Sequence, residues 1–326
     1  MTLVTGATGF IGSHLLDRLS ATNQPFRCLL RRNSRRKALP AGVDSVEADF
    51  DSGEGFDRAL DGVAVVIHLA GVTKALRPAD YYTGNARATA VLAKAIAIAG
   101  KGIRLVHVSS LAAAGPSPDG HPLNEDFRPR PVSHYGKSKL EAEIAVRGSL
   151  PDAVIVRPPV VYGPRDTDVF RILKPVSRGF LLQLGEGGSV SAIFVRDLVE
   201  GLLTAARHPA ARGRTYFLAN PHPFTWTELG KSAARIMGGA ADRPLRILRI
   251  PPAVARVVGF AAEMVSWITR KPGIVSREKV AEAQCPYWVC DPRRAADEMG
   301  FQAATALDAG LSETLAWYKD AGWLKY

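Results

Sequence analysis

Through its first half the chain alternates short apolar runs with stretches of helical periodicity. Leu3 and Val4 begin a buried strand at Thr2 that runs into Gly6, Gly9 and Gly12. Ile11, Leu15, Leu16 and Leu19 then recur at helical spacing, which predicts a helix from Ile11 to about Leu19. Phe26 to Leu30 predicts a second strand and Val43 to Glu47 a third. The almost unbroken apolar run from Val63 to Gly71 fits a strand covered on both faces. A long alanine-rich helix from about Tyr81 to Ala99, a fifth strand from Leu105 to Ser110, and a helix from Tyr135 to about Arg147 complete the series. Strands alternating with helices predict an α/β fold, a doubly wound parallel sheet.

The second half is less regular. Pro251 and Pro252 open a stretch to Thr269 in which Val254, Val257, Val258, Ala261, Met264, Val265 and Ile268 form an apolar stripe, with Arg256 and Glu263 off it. Three settings suit such a helix: packing on the domain's own core, an apolar lid over a hydrophobic pocket, or an interfacial position near lipid. Its charges and short length argue against a membrane-spanning helix. With its first strand beginning at Thr2, the sequence leaves no room for a secretory signal, and the expected location is cytoplasmic.

Composition narrows the class. Hydrophobic residues make up 47% and charged residues 22% of 326 residues, ordinary for a globular protein. Cys28, Cys285 and Cys290 are odd in number and lack metal-site spacing, and the seven histidines form no cluster, so no metal is expected. The formal charge is +11. One concentration, Arg27, Arg31, Arg32, Arg35, Arg36 and Lys37, directly follows or lies in the second strand. That balance suits nucleic acid, an anionic membrane surface or a phosphate-rich ligand.

The opening glycines define the first piece of chemistry. A turn of this kind lets the backbone approach a ligand, and the free N–H groups of the next helix face its pyrophosphate. Gly6, Thr8, Gly9, Phe10, Ile11 and Gly12 are the candidates for that site. An acid at the end of the second strand would bind the 2′-hydroxyl of NAD. Arg31 and Arg32 stand there instead, which favours the 2′-phosphate of NADP(H) over NAD(H). Asp49 and Phe50 follow the third strand, where an acid could meet the adenine, and the small-residue end of the fourth strand allows close approach of backbone to cofactor. His68 reads as a satisfied core histidine. Tyr135 and Lys139 are four residues apart and project from one helix face. An ammonium beside a phenol lowers its pKa, so Lys139 is expected to tune Tyr135 as a general acid or base. Ser110 could hydrogen-bond the same substrate oxygen.

These residues in this order resemble the short-chain dehydrogenase/reductase superfamily in its extended form, over essentially the whole chain. The resemblance is carried by Gly6, Gly9 and Gly12 of TGATGFIG, Asp49, the HLAG run His68 to Gly71, Asn85 of NxxAT, Ser110, Tyr135, Lys139, and the RPPVVYGP run from Arg157 to Pro164. It implies a Rossmann sheet with a smaller, mostly helical C-terminal substrate-binding region. Residues 1–165 would form the NAD(P)-binding core, and 166–326 would complete the sheet and supply the substrate lobe. It further implies Ser110, Tyr135 and Lys139 as catalytic residues. Leu69, Ala70, Gly71, Asn85, Ser109, Tyr135, Lys139, Pro158, Val160 and Val161 would join the glycine turn, Arg31, Arg32, Asp49 and Phe50 in binding the cofactor.

Two departures bear on the substrate. Nucleotide-sugar relatives carry an asparagine where Val160 stands, and an arginine-containing grip where Val190-Ser191-Ala192 stands, within the run from Gly185 to Val195. Losing those donors disfavours a diphosphate. The runs Arg277-Glu278-Lys279-Val280 and Tyr287 to Asp291, and the tryptophan-rich ending, resemble the 3β-hydroxysteroid dehydrogenase-like branch. The expected activity is hydride transfer on an apolar, sterol- or isoprenoid-like alcohol or ketone. A nucleotide-sugar epimerase or dehydratase, and a non-catalytic NADP(H)-binding sensor or assembly subunit, are the alternatives. The expected partners are a small apolar substrate and a peripheral membrane contact, with no nucleic acid; a homodimer is the expected assembly.

Overall fold

The computed structural model describes residues 1–34, 36, 39–40, 42–100, 102–184, 187–238, 245–270, 273 and 277–326. Arg35 and Lys37 of the basic stretch, and Gly185 and Glu186, lie outside the described residues.

Seven parallel strands form the central sheet, in the order β11-β6-β5-β4-β1-β2-β3. They are β1 (Thr2–Thr5), β2 (Phe26–Leu30), β3 (Ser45–Glu47), β4 (Val65–His68), β5 (Arg104–Val108), β6 (Val154–Val156) and β11 (Thr215–Tyr216). The third strand starts at Ser45, two residues later than its apolar pattern suggests. Successive side chains on β1 serve opposite faces. Val4 joins Leu15, Leu16 and Leu19 of α1 (Phe10–Ala21) and Leu198 and Leu202 of α8 (Val195–Arg207). Leu3 joins Phe56 of α2 (Phe56–Leu60) and Leu92 and Ile96 of α4 (Ala88–Ala99). Both faces are therefore covered by helices, the physical reason β4 and β6 at the middle of the sheet are almost wholly apolar.

Chain order reverses between β1 and β4, and ligands of doubly wound sheets bind beyond the strand ends at such a point. The pairing places Thr5 of β1 beside His68 of β4, and His68 beside His107 of β5, so three strand ends lie in one row. The helix predicted from Tyr81 to Ala99 is composite. A short α3 (Pro78–Tyr81) leads into a π-helical segment over Tyr82–Arg87, which becomes α4. Widened turns of this kind concentrate at functional sites. Tyr135 and Lys139 lie on α6 (His134–Ser149), capped by Ser133, whose Oγ accepts the Gly136 N–H at 3.0 Å.

The remaining chain builds a lobe with its own core. The elements of this stretch include β7 (Val160–Tyr162), α7 (Asp168–Val176), β8 (Phe180–Leu184), β9 (Ser189–Val190), β10 (Ala192–Phe194), β12 (Phe224–Thr225), α9 (Trp226–Ile236), α12 (Arg293–Met299) and α13 (Leu307–Asp320). Leu173, Leu181, Phe194, Leu229, Leu311 and Leu315 pack together there, and Phe170, Trp317, Tyr318 and Trp323 make an aromatic cluster. Three further elements matter below: β13 (Arg246–Ile250), paired with β8, and the helices α10 (Pro252–Thr269) and α11 (Arg277–Gln284). The apolar stripe of α10 does not pack into a core. Only Ala255 and Gly259 of that helix are buried, because its small-residue face is the one turned inward. Among the described residues no helix is long and apolar enough to cross a membrane.

Candidate active site

The glycine turn links β1 to α1. Gly6 has φ +70°, and a Cβ there would stand 2.7 Å from the Ala70 nitrogen, so the turn backs directly onto the end of β4. A Cβ on Gly12 would fall 2.2 Å from the Gly6 carbonyl oxygen, so α1 starts as close to the turn as a backbone allows. Gly9 is the N-cap, its N–H donating to Gly6 O at 3.0 Å, and no acid occupies the first turn of the helix. The unpaired N–H groups over Phe10, Ile11 and Gly12 thus present an uncompensated positive end. Thr8 sits within the turn. His14, one turn on, hydrogen-bonds Pro164 O at 2.8 Å and ties α1 to the RPPVVYGP run.

At the adenosine end, Arg31 and Arg32 leave β2 exposed to solvent, and the Arg31 guanidinium lies 5.2 Å over the buried Phe50 ring. Asp49 is exposed, and its carboxylate accepts the Asp51 N–H at 2.7 Å, which holds its pKa below the usual range. At the end of β4, Leu69 N donates to Thr5 O and Ala70 N to Thr5 Oγ1. His68 is buried between Thr5 Oγ1 at 2.7 Å and Thr89 Oγ1 at 2.9 Å, and burial lowers its pKa to about 3. It is a neutral core group.

Asn85, in the π-helical segment, is buried and binds three groups. Its Oδ1 accepts Val72 N at 2.7 Å, and its Nδ2 donates to Val72 O at 3.0 Å and to Ser138 Oγ at 2.9 Å. It therefore fastens the loop after Gly71 to α6, next to Lys139, and acts there as a positioning residue. A Cβ on Gly71 would stand 2.9 Å from Asn85 Oδ1 and 3.9 Å from Lys139 Nζ.

Tyr135, Ser110 and Lys139 come together at the ends of β4 and β5. Ser110 caps the short α5 (Leu111–Ala114), with its Oγ accepting Ala112 N at 3.1 Å, and its hydroxyl hydrogen-bonds the Tyr135 phenol. Beside it, Leu111 N donates to Pro158 O at 2.8 Å, which brings the link between β6 and β7, with Val160 and Val161 beyond, alongside the serine. Lys139 is buried and donates to Val108 O at 2.8 Å. Burial lowers its pKa to about 8, against the pull of Glu143.

One sequence expectation needs correction here. Tyr135 is raised rather than lowered, because burial outweighs every neighbouring charge. The cation that opposes this most is Lys279 of α11, whose Nζ lies 5.4 Å over the Tyr135 ring. Lys139 is instead turned to the Val108 carbonyl. The Ser109 hydroxyl donates to Glu143 Oε1 at 2.5 Å, so what this residue could offer a cofactor is its backbone. Glu143 in turn grips Arg157 through two hydrogen bonds of 2.9 and 2.6 Å, both side chains buried. That pair pins α6 to the strand that leads into the RPPVVYGP run.

Residues 2–219 match the NAD dependent epimerase/dehydratase family. The chain belongs to this family. Within it, the chain is 32% identical to a ceramide reductase of Caulobacter vibrioides over 98% of this chain and 95% of that protein. It is 38% identical to a UDP-glucose 4-epimerase of Azospirillum brasilense, over 44% of this chain and 43% of that one. The solved UDP-glucose 4-epimerase of Thermus thermophilus, a complex with NAD, has the same fold, with a TM-score of 0.76 and 23% identity over 98% of this chain and 99% of that one.

A nicotinamide dinucleotide fits the residues present. The cradle at Gly6 and Gly12 admits no Cβ, the helix end above it has no acid, and Lys139 is a buried cation at the row of strand ends. The sequence reading overlooked what surrounds Tyr135. Lys279 reaches Tyr135 while donating to Glu282 at 2.8 Å, Glu278 accepts the His134 N–H at 2.7 Å, and Tyr81 packs edge-on to Tyr135. No local spacing marks these residues, since they reach α6 only through folding; the Arg277 to Val280 run was visible as a family likeness and nothing more.

Proposed function

We propose that this member of the family is an NAD(P)H-dependent reductase that interconverts a ketone and a secondary alcohol on an apolar, lipid-like substrate, in the 3β-hydroxysteroid dehydrogenase-like branch. The observation that carries the reading is the convergence of the half-buried Tyr135 phenol, Ser110 and the buried Lys139 at the ends of β4 and β5, with the Tyr135 pKa raised above the ordinary phenol value by burial. At neutral pH such a group is protonated, the state required to give a proton to a carbonyl oxygen.

A nicotinamide dinucleotide, when bound, supplies the hydride in reduction and accepts it in oxidation. In reduction the hydride adds to the carbonyl carbon and the Tyr135 proton goes to the oxygen, leaving an alcohol, a phenolate and oxidised cofactor. Ser110 orients that oxygen with its hydroxyl. Lys139, held by Val108 O, stands ready for the ribose, and Lys279 stabilises the phenolate that remains. Arg31 and Arg32, with no acid at the strand end, favour NADP(H).

Two things support an apolar substrate. A ceramide reductase aligns over 98% of this chain at 32% identity, whereas UDP-glucose 4-epimerases align over 44% to 76% of it. Val190, Ser191 and Ala192, where nucleotide-sugar relatives place an arginine, are buried, and Ser191 Oγ accepts Cys290 N at 3.0 Å. The test mixes the protein with NADPH or NADH and a panel of apolar ketones and nucleotide sugars. Oxidation of reduced cofactor with an apolar ketone is expected. Conversion of a nucleotide sugar with no net change in cofactor would overturn the reading in favour of an epimerase.

A further inference from the structure

The outer face of α10 is apolar and stands in solvent. Val257, Phe260, Met264, Val265, Trp267 and Ile268 are between 48% and 73% exposed. The strand pair β8–β13, which runs directly into α10, adds exposed Leu182 and Leu248. A groove of about 460 Å³ at that edge combines Phe180, Leu182 and Leu248 with Arg171, Lys174 and Arg178. An apolar surface of this extent marks a contact with something outside the chain.

Charge identifies the occupant. Over residues 246–270 the cations are Arg246, Arg249, Arg256 and Arg270, all exposed and without an ion-pair partner among the described residues. The single acid of that stretch, Glu263, is bonded to Arg277 at 2.6 Å. A second copy of the chain docked through a two-fold axis would set these arginines against themselves with no acid to answer them. A lid over the active site is equally unsuited. The small-residue face of α10 is the buried one, and α10 is joined to α11 through Arg277 N to Glu263 Oε1 and Gln284 Nε2 to Pro252 O, so it is α11 that covers Tyr135. Aliphatic and tryptophan side chains flanked by unpaired arginines match the boundary between acyl chains and anionic headgroups.

We propose that α10 and the adjoining β8–β13 edge dock the protein on an anionic lipid bilayer. The apolar side chains enter the headgroup boundary, and the arginines, with the cations of the groove, meet lipid phosphates. The proposal stands apart from the substrate reading: a protein that binds such membranes yet reduces no apolar ketone would refute the latter alone.

Flotation of the full chain with phosphatidylcholine vesicles, with and without phosphatidylglycerol, tests it. Binding is expected only when phosphatidylglycerol is present. Trp267→Glu and Ile268→Glu, at exposed positions, should each weaken partitioning about ten-fold without altering the thermal midpoint. Arg249→Gln and Arg256→Gln should each weaken it about five-fold. Failure to float with phosphatidylglycerol vesicles, or equal binding to phosphatidylcholine alone, would overturn the proposal. So would a dimer in sedimentation velocity that Trp267→Glu converts to monomer while vesicles stay unbound.

Discussion

Around α6, these polar side chains are buried and answered: Asn85 by Val72 and Ser138, Glu143 by Arg157 and Ser109, Lys139 by Val108. On α10 the relation is inverted, with large apolar side chains in solvent and small ones turned inward. Burying polar groups is costly unless each finds a partner, so the first region permits few arrangements and holds its groups rigidly. The second region gains little from its own fold and retains its apolar surface for something else. One helix sets chemistry, the other offers a contact, and α11 touches both.

The largest effect should come from Tyr135→Phe, which removes the proton donor and keeps the ring. Turnover should fall about a thousand-fold with cofactor affinity nearly unchanged, read by steady-state kinetics and cofactor titration; unchanged turnover would strip the α6 region of its chemical role. Arg157→Met leaves Glu143 buried without its cation and should cost about 3–5 kcal/mol in denaturant unfolding. Lys279→Met removes the cation that most opposes the raised Tyr135 pKa, so the phenolate needed to oxidise an alcohol becomes scarcer. Oxidation should drop about ten-fold at fixed pH while reduction changes little, which makes the split between directions the diagnostic.

Lys139 supplies the pH dependence. Its pKa of about 8 leaves it cationic below that value and neutral above. Cofactor affinity should therefore weaken about five-fold as pH rises through that range, and a flat titration would remove Lys139 from the cofactor site. The smallest effect belongs to the outer face of α10. Val257→Ser should change unfolding stability by less than about 0.5 kcal/mol, because that side chain is 68% exposed and leaves no cavity. A larger loss would mean that α10 contributes to the core after all and would erase the contrast.

Much of this was legible along the chain. The glycine turn could be read because a tight approach of backbone to backbone excludes a Cβ at Gly6 and Gly12, a requirement expressed in adjacent residues. Tyr135 and Lys139 could be paired because helical geometry fixes which residues share a face. The doubly wound sheet followed from apolar strands that need cover on both sides. All of these are local rules of spacing, and the sequence alone is enough to state them.

Only the tertiary structure decided the rest. It turned Lys139 to the Val108 carbonyl and brought Lys279 over Tyr135, committed the Ser109 hydroxyl to Glu143, and widened the helix at Asn85 into a π segment. It also chose the small-residue face of α10 for the interior, leaving outside a stripe whose periodicity suited a core equally well. The reason is common to all of these: periodicity says which residues face together, but what they face is set by segments distant in sequence, and burial reverses even the sign of a pKa shift inferred from a neighbour one turn away.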